Sequence, residues 1–146
     1  MEIIWYGHSC FKLSERDLST VVTDPFDKSI GYTVPKLKAD IVTVSHAAPG
    51  HNNVEAIKDA RQITGPGEYE IGGVFITGVA TQNANGDKKK NVKNKNTLYV
   101  FDFEGITIAH LGDLDHVPTQ TQVEEMGTVH VALVPVGGGG APNASQ

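Results

Sequence analysis

Thiols are nearly absent. Cys10 is the single cysteine in 146 residues, so no disulfide can close within the chain, and the pattern fits a reducing compartment. Long hydrophobic runs are missing too. No apolar stretch approaches the ~20 residues of a membrane helix, and Met1-Glu-Ile-Ile-Trp-Tyr has neither the basic start nor the apolar core of a signal peptide. A cytoplasmic protein with no membrane partner is the expectation. Positive charge is also in deficit, with 12 Lys+Arg against 17 Asp+Glu and a net charge of −5. A nucleic-acid partner is therefore not expected, because binding a phosphate backbone needs clustered cations. The one basic cluster, Lys88, Lys89, Lys90, Lys93 and Lys95, is interleaved with Asn and Gly and reads as a solvated loop.

What is present suits one packed domain: 39% hydrophobic and 20% charged residues. Most of the chain reads as short strands punctuated by Gly, Pro and Asn, at Met1–Tyr6, Ser9–Leu13, Thr20–Thr23 and Ile41–Ser45, then Gln62–Thr64, Val74–Val79 and Thr97–Phe103. Glu104-Gly105 predicts a tight turn that joins Leu98–Phe103 to Ile106–His110 as a hairpin. Helices are predicted at Asn53–Ala60, where Asn52 or Asn53 could cap, and at Gln120–Met126. Val129–Val136 is expected to be a buried strand, and Gly137–Gln146 a disordered Gly-rich tail. Cys10, inside an apolar strand pattern, reads as a buried structural thiol, and His130 as a structural residue of a hydrophobic strand. Many strands with few helices predict a β-rich α/β fold.

Two segments could carry chemistry. Ser45-His46-Ala47-Ala48-Pro49-Gly50-His51 follows a buried strand and precedes a helical pattern, so His46 and His51 would lie at a strand's carboxyl end, where α/β sheets place ligands. Two imidazoles on one loop make a partial metal site, and zinc takes at least three protein ligands. The second segment is His110-Leu-Gly-Asp113-Leu-Asp115-His116. Asp113 either points into a cleft from a strand end or caps a turn, and His110 and His116 are either further donors or ordinary polar residues. Glu68 and Glu70 are expected to face solvent.

In order along the chain stand Trp5-Tyr-Gly-His-Ser-Cys-Phe11, Asp24-Pro25, Ser45–His51, Gly65-Pro-Gly-Glu-Tyr-Glu-Ile-Gly-Gly73, His110-Leu-Gly-Asp-Leu114 and Pro135-Val-Gly-Gly-Gly139. Together these motifs resemble the metallo-β-lactamase superfamily, in particular its small predicted zinc-dependent hydrolases related to the ascorbate-phosphate lactonases. The resemblance implies an αβ/βα sandwich over residues 1–136, and metal-assisted hydrolysis of an ester, lactone, amide or phosphodiester. It aligns His46 and His51 with the first and last histidines of the family's metal loop, and Asp113 with its bridging aspartate.

The departures from that pattern set the functional expectation. Ala48 stands at the loop's second histidine, Gly50 at its aspartate, and Asn83 nearest the next histidine. The family's last histidine falls beyond residue 146, so the chain is expected to lack the usual C-terminal portion and to pair with another copy. His46, His51 and Asp113 could still converge on one ion at most, zinc first, with manganese or iron as alternatives. His8 is expected to bind substrate, a small ester, lactone or phosphoester. The leading reading is a hydrolase-like protein with a degenerate metal site and weak or absent turnover. The competing reading is a non-catalytic binding or scaffold module that keeps the fold.

Overall fold

Along Lys95–Phe103 side chains alternate between two apolar environments: Tyr99, Phe101 and Phe103 on one face, Leu98 and Val100 on the other. A strand patterned this way must be covered on both sides, and the computed structural model shows how. It describes residues 1–28, 31, 36–47, 52–82 and 95–135. The described strands are β1 (Glu2–Gly7), β2 (Cys10–Ser14), β3 (Val21–Thr23), β4 (Ile41–Thr43), β5 (Arg61–Ile63), β6 (Gly67–Ile71), β7 (Val74–Gln82), β8 (Lys95–Phe103), β9 (Ile106–His110) and β10 (Val131–Leu133). The only described α-helix is α1 (Gln120–Met126).

The strands form two five-stranded mixed sheets, ordered β1-β2-β3-β4-β5 and β10-β9-β8-β7-β6. In the first, β1–β3 are antiparallel, and β3, β4 and β5 run parallel. In the second, β6–β9 form an antiparallel meander, and β10 adds parallel to β9. Leu13, Val21, Ile41 and Ile63 of the first sheet pack against Val74, Ile76, Tyr99, Phe101, Phe103 and Ile108 of the second. The alternate residues point outward. Cys10, Val22 and Val42 pack with Phe26 and Ile57 behind the first sheet, and Val79, Leu98, Val100 and Ala109 pack with Met126 and Val129 behind the second. This is the β-rich, sparsely helical sandwich the sequence implies.

Two expected elements differ. In place of a helix over Asn53–Ala60 there is one 3-10 turn at Val54–Ala56. Asn53 does not cap it. Its side-chain amide donates to the Phe26 carbonyl at 3.1 Å instead, and Asp59 takes a left-handed φ of 60° that stops helical propagation. Burial of Ile57 behind β4 fixes the segment without a helix. The buried strand expected at Val129–Val136 is the three-residue edge strand β10. Among the described residues it has a single neighbour, and Val131 and Val134 stay 37% and 45% exposed. His130, exposed just before β10, accepts from the Thr107 amide at its Nδ1 (3.0 Å) and so retains a structural use.

Other expectations hold. α1 starts with a capping box between Thr119 and Gln122. Glu104 and Gly105 both take positive φ, 52° and 95°, as a two-residue hairpin turn requires. Glu68 and Glu70 are exposed, and Cys10 is buried. The Gly-rich tail and most of the lysine cluster lie outside the described residues. Among the described residues no helix is long and apolar enough to cross a membrane.

Candidate metal centre

The carboxyl ends of β3, β4 and β9 and the β1–β2 turn meet at one end of the sandwich. β3 delivers Asp24, β4 runs on to Ser45 and His46, and β9 runs on to Asp113. Antiparallel pairing of β2 with β3 brings the turn Gly7-His8-Ser9 to the same end. There His110 Nε2 lies 3.1 Å from the Ser9 carbonyl oxygen, so a strand of each sheet anchors that turn. The Trp5 indole N–H also donates to the His8 carbonyl, at 2.9 Å. His8 itself is exposed with a left-handed φ of 51°.

The residues singled out from sequence behave differently from one another. His46 Nε2 and Asp113 Oδ2 come to 3.5 Å. His116 Nδ1 pairs with Asp115 Oδ1 at 2.9 Å. His51 lies outside the described residues, as do Ala48, Gly50 and Asn83. Among the described residues no three His, Cys, Asp or Glu side chains converge to hold an ion. The described donor set therefore stops at the pair His46 and Asp113.

Three supporting residues were not legible as functional in the sequence. Asp24 is fully buried, and both its carboxylate oxygens accept from Ser45: Oδ1 from the backbone N–H at 2.8 Å, Oδ2 from the hydroxyl at 2.5 Å. With its proton committed to Asp24, Ser45 Oγ presents only lone pairs to His46 Nδ1, 3.0 Å away. Nδ1 must then carry the ring proton, and Nε2 directs a lone pair towards Asp113. Two electron-pair donors that face one another at 3.5 Å form a place that a cation, either a proton on the imidazole or a metal ion, would suit. Two ligands of one tetrahedral zinc, each at ~2.0–2.2 Å, stand roughly 3.4 Å apart. The pair thus fits two corners of a shared ion.

The third supporting residue is Asn96, buried at the start of β8. It donates from Nδ2 to Thr81 Oγ1 and to the Leu111 carbonyl, both at 3.1 Å, and accepts the Asp113 N–H at Oδ1, 3.0 Å. Its neighbour Thr97 donates its N–H to the Ser45 carbonyl at 2.8 Å. The buried charge of Asp24 is felt nearby. The Cys10 thiol is pushed up to about 12, first by burial and then by that carboxylate, which leaves it protonated and inert.

Comparison with known proteins places the fold. The model of the family described as "Beta-lactamase superfamily domain" matches residues 2–146. No curated protein matches the chain. The chain is similar to a Thermotoga maritima protein described as a Zn-dependent hydrolase of the metallo-beta-lactamase superfamily, with 42% identity and a TM-score of 0.77 over 98% of this chain. It spans 65% of that protein's length. A Parabacteroides distasonis protein described as a metal-dependent hydrolase shares the fold at 20% identity and a TM-score of 0.73, over 99% of this chain and 73% of its own. So does the diiron β-hydroxylase CmlA of Streptomyces venezuelae, at 14% identity and a TM-score of 0.66, over 90% of this chain and 34% of its own.

Proposed function

Since this chain belongs to the metallo-β-lactamase superfamily, we propose that it is a hydrolase-like protein that holds one divalent ion, zinc first, between His46 and Asp113. The observation that carries this reading is the 3.5 Å approach of His46 Nε2 to Asp113 Oδ2, with the Ser45–Asp24 pair behind the ring. His51 is the third ligand in this proposal, because it matches the last histidine of the family's metal loop. When bound, a divalent ion supplies Lewis-acid polarisation of a substrate oxygen and lowers the pKa of water. The chain's own residues do the rest. Asp24 and Ser45 fix the tautomer of His46, Asp113 contributes the negative charge, and His8 on the β1–β2 turn contacts the substrate, a small ester, lactone or phosphoester.

Turnover is weak or absent in this reading, because Ala48, Gly50 and Asn83 offer no imidazole or carboxylate at positions where the family places them. Firm coordination is what brings the pKa of a zinc-activated water near ~7.

Elemental analysis of protein purified without chelator tests the proposal. Zinc near one equivalent is expected, with loss in His46→Ala. Added zinc should also raise the unfolding temperature, since an ion bound only to the native state stabilises it, by about 2.7 kcal/mol at a hundred times Kd. No metal and an unchanged unfolding temperature would leave the scaffold reading in its place.

A further inference from the structure

Both ligand-bearing loops are held by two adjacent residues near the start of one strand, Asn96 and Thr97 of β8. The Asn96 side chain holds the backbone of Asp113, and the Thr97 N–H holds the carbonyl of Ser45, the residue before His46. Ser45 comes from the first sheet, Asp113 from the second, so the gap between the donors is set where β8 touches both. Asn96 is 1% exposed, and its amide is used from both ends: two donated bonds, one to Thr81 and one to Leu111, and one accepted from Asp113. Few side chains can do this. A carboxylate has no proton for the Leu111 carbonyl, and a hydroxyl is too short to reach three elements.

Gly112 shows how closely this contact is built. It takes a left-handed φ of 61°, and a Cβ there would lie 2.5 Å from Ser45 Cβ and 2.6 Å from Asn96 Oδ1. The missing side chain is what lets the Asp113 loop close against Ser45 and Asn96 together.

We propose that Asn96 is the positioning residue of the metal centre: through the Asp113 backbone it sets the carboxylate at ligand distance from His46. This rests on the reading that His46 and Asp113 share an ion. Asn96 touches neither ion nor substrate, and acts by making one loop position the only one in which a buried amide is fully bonded.

The test is metal binding by the full chain, with cobalt(II) as the spectroscopic probe and zinc measured by competition with a chromophoric chelator. The variant is Asn96→Asp, which keeps the size of the side chain and removes its donors. The expected result is a 10–100-fold rise in the zinc Kd, the usual scale for partners behind the ligands, together with an altered visible cobalt spectrum. A loss of stability alone would move neither the spectrum nor the affinity of the folded fraction. If Asn96→Asp does not fold, Thr81→Val serves instead. It removes one acceptor of the amide, leaves the Asp113 residue itself unaltered and loosens the side chain that holds it, and a several-fold weaker Kd is expected. Wild-type affinity and spectrum in the folded variant overturn the role of Asn96 and leave the metal site standing. A wild-type chain that binds neither cobalt nor zinc overturns the metal reading and this role with it.

Discussion

Asp24→Asn replaces one oxygen of the site's foundation with nitrogen and reverses the direction of a hydrogen-bond chain. In the native structure the Ser45 hydroxyl donates to Asp24 Oδ2 at 2.5 Å, and the Ser45 N–H donates to Oδ1 at 2.8 Å. With the Asn oxygen at Oδ1, the backbone bond survives. The amide nitrogen takes the place of Oδ2 and must donate to Ser45 Oγ. The Ser45 proton then turns to His46 Nδ1, 3.0 Å away, the ring proton moves to Nε2, and the lone pair offered towards Asp113 disappears. The backbone gives no reason for collapse, because Asn tolerates the left-handed φ of 38° at this position as Asp does. Hydrogen bonds to charged groups contribute about 1.5–3 kcal/mol and neutral ones about 0.5–1.5, and relief from burying the charge offsets part of the difference. The expected stability loss is therefore only ~1–2 kcal/mol, whereas zinc affinity falls by about 10–100-fold. Proton–nitrogen NMR through the two-bond imidazole couplings reads the tautomer directly, and chelator competition reads the affinity. A variant in which His46 keeps its Nδ1 proton, or binds zinc as tightly as the wild type, refutes the relay. The charge has its own control: without that carboxylate the Cys10 thiol should titrate below its native value of about 12.

Cys10 and Tyr99 give further predictions. The native Cys10 thiol is expected not to react with a thiol reagent at pH 8, and to react on unfolding. Its pKa is raised from 9.0 to about 12, so the stability it contributes is intact below pH 9 and falls as pH rises from 9 to 12. Cys10→Ala should flatten that part of a denaturation-against-pH curve, and an unchanged slope would count against it. Tyr99 donates its hydroxyl to the Val44 carbonyl at 2.8 Å and lies 3.3 Å from that of Ile63, linking the second sheet to the ends of β4 and β5. Tyr99→Phe should cost about 1–2 kcal/mol in urea denaturation, and a variant as stable as the wild type would show that the link adds nothing.

The sheets were legible because their residues answer to a period. Tyr99, Phe101 and Phe103 face one way and Leu98 and Val100 the other, and β-branched runs such as Val21–Thr23 and Ile41–Thr43 leave few alternatives to a strand. Asn53–Ala60 misled for a local reason. Its spacing of Val54 and Ile57 suits a helix, but Asn53 spends its amide on the Phe26 carbonyl, a residue far away in sequence. Val129–Val136 misled because apolar composition does not say whether a strand has one neighbour or two.

The same division runs through the site. His46 and Asp113 could be singled out because a metal demands particular donor atoms, and few residue types carry them. Their supports answer to no such demand. Ser45 and Asn96 are among the commonest polar residues of surfaces and turns, and Asp24 before a proline reads as turn chemistry. What distinguishes them is burial together with bonds to backbone groups 15 to 21 residues away in the chain, and neither exists until the sheets have met. A donor inventory taken along the chain therefore counts the candidate ligands and misses what fixes the distance between them. In the proposed site that distance, 3.5 Å between His46 and Asp113, is the quantity on which ion binding would depend.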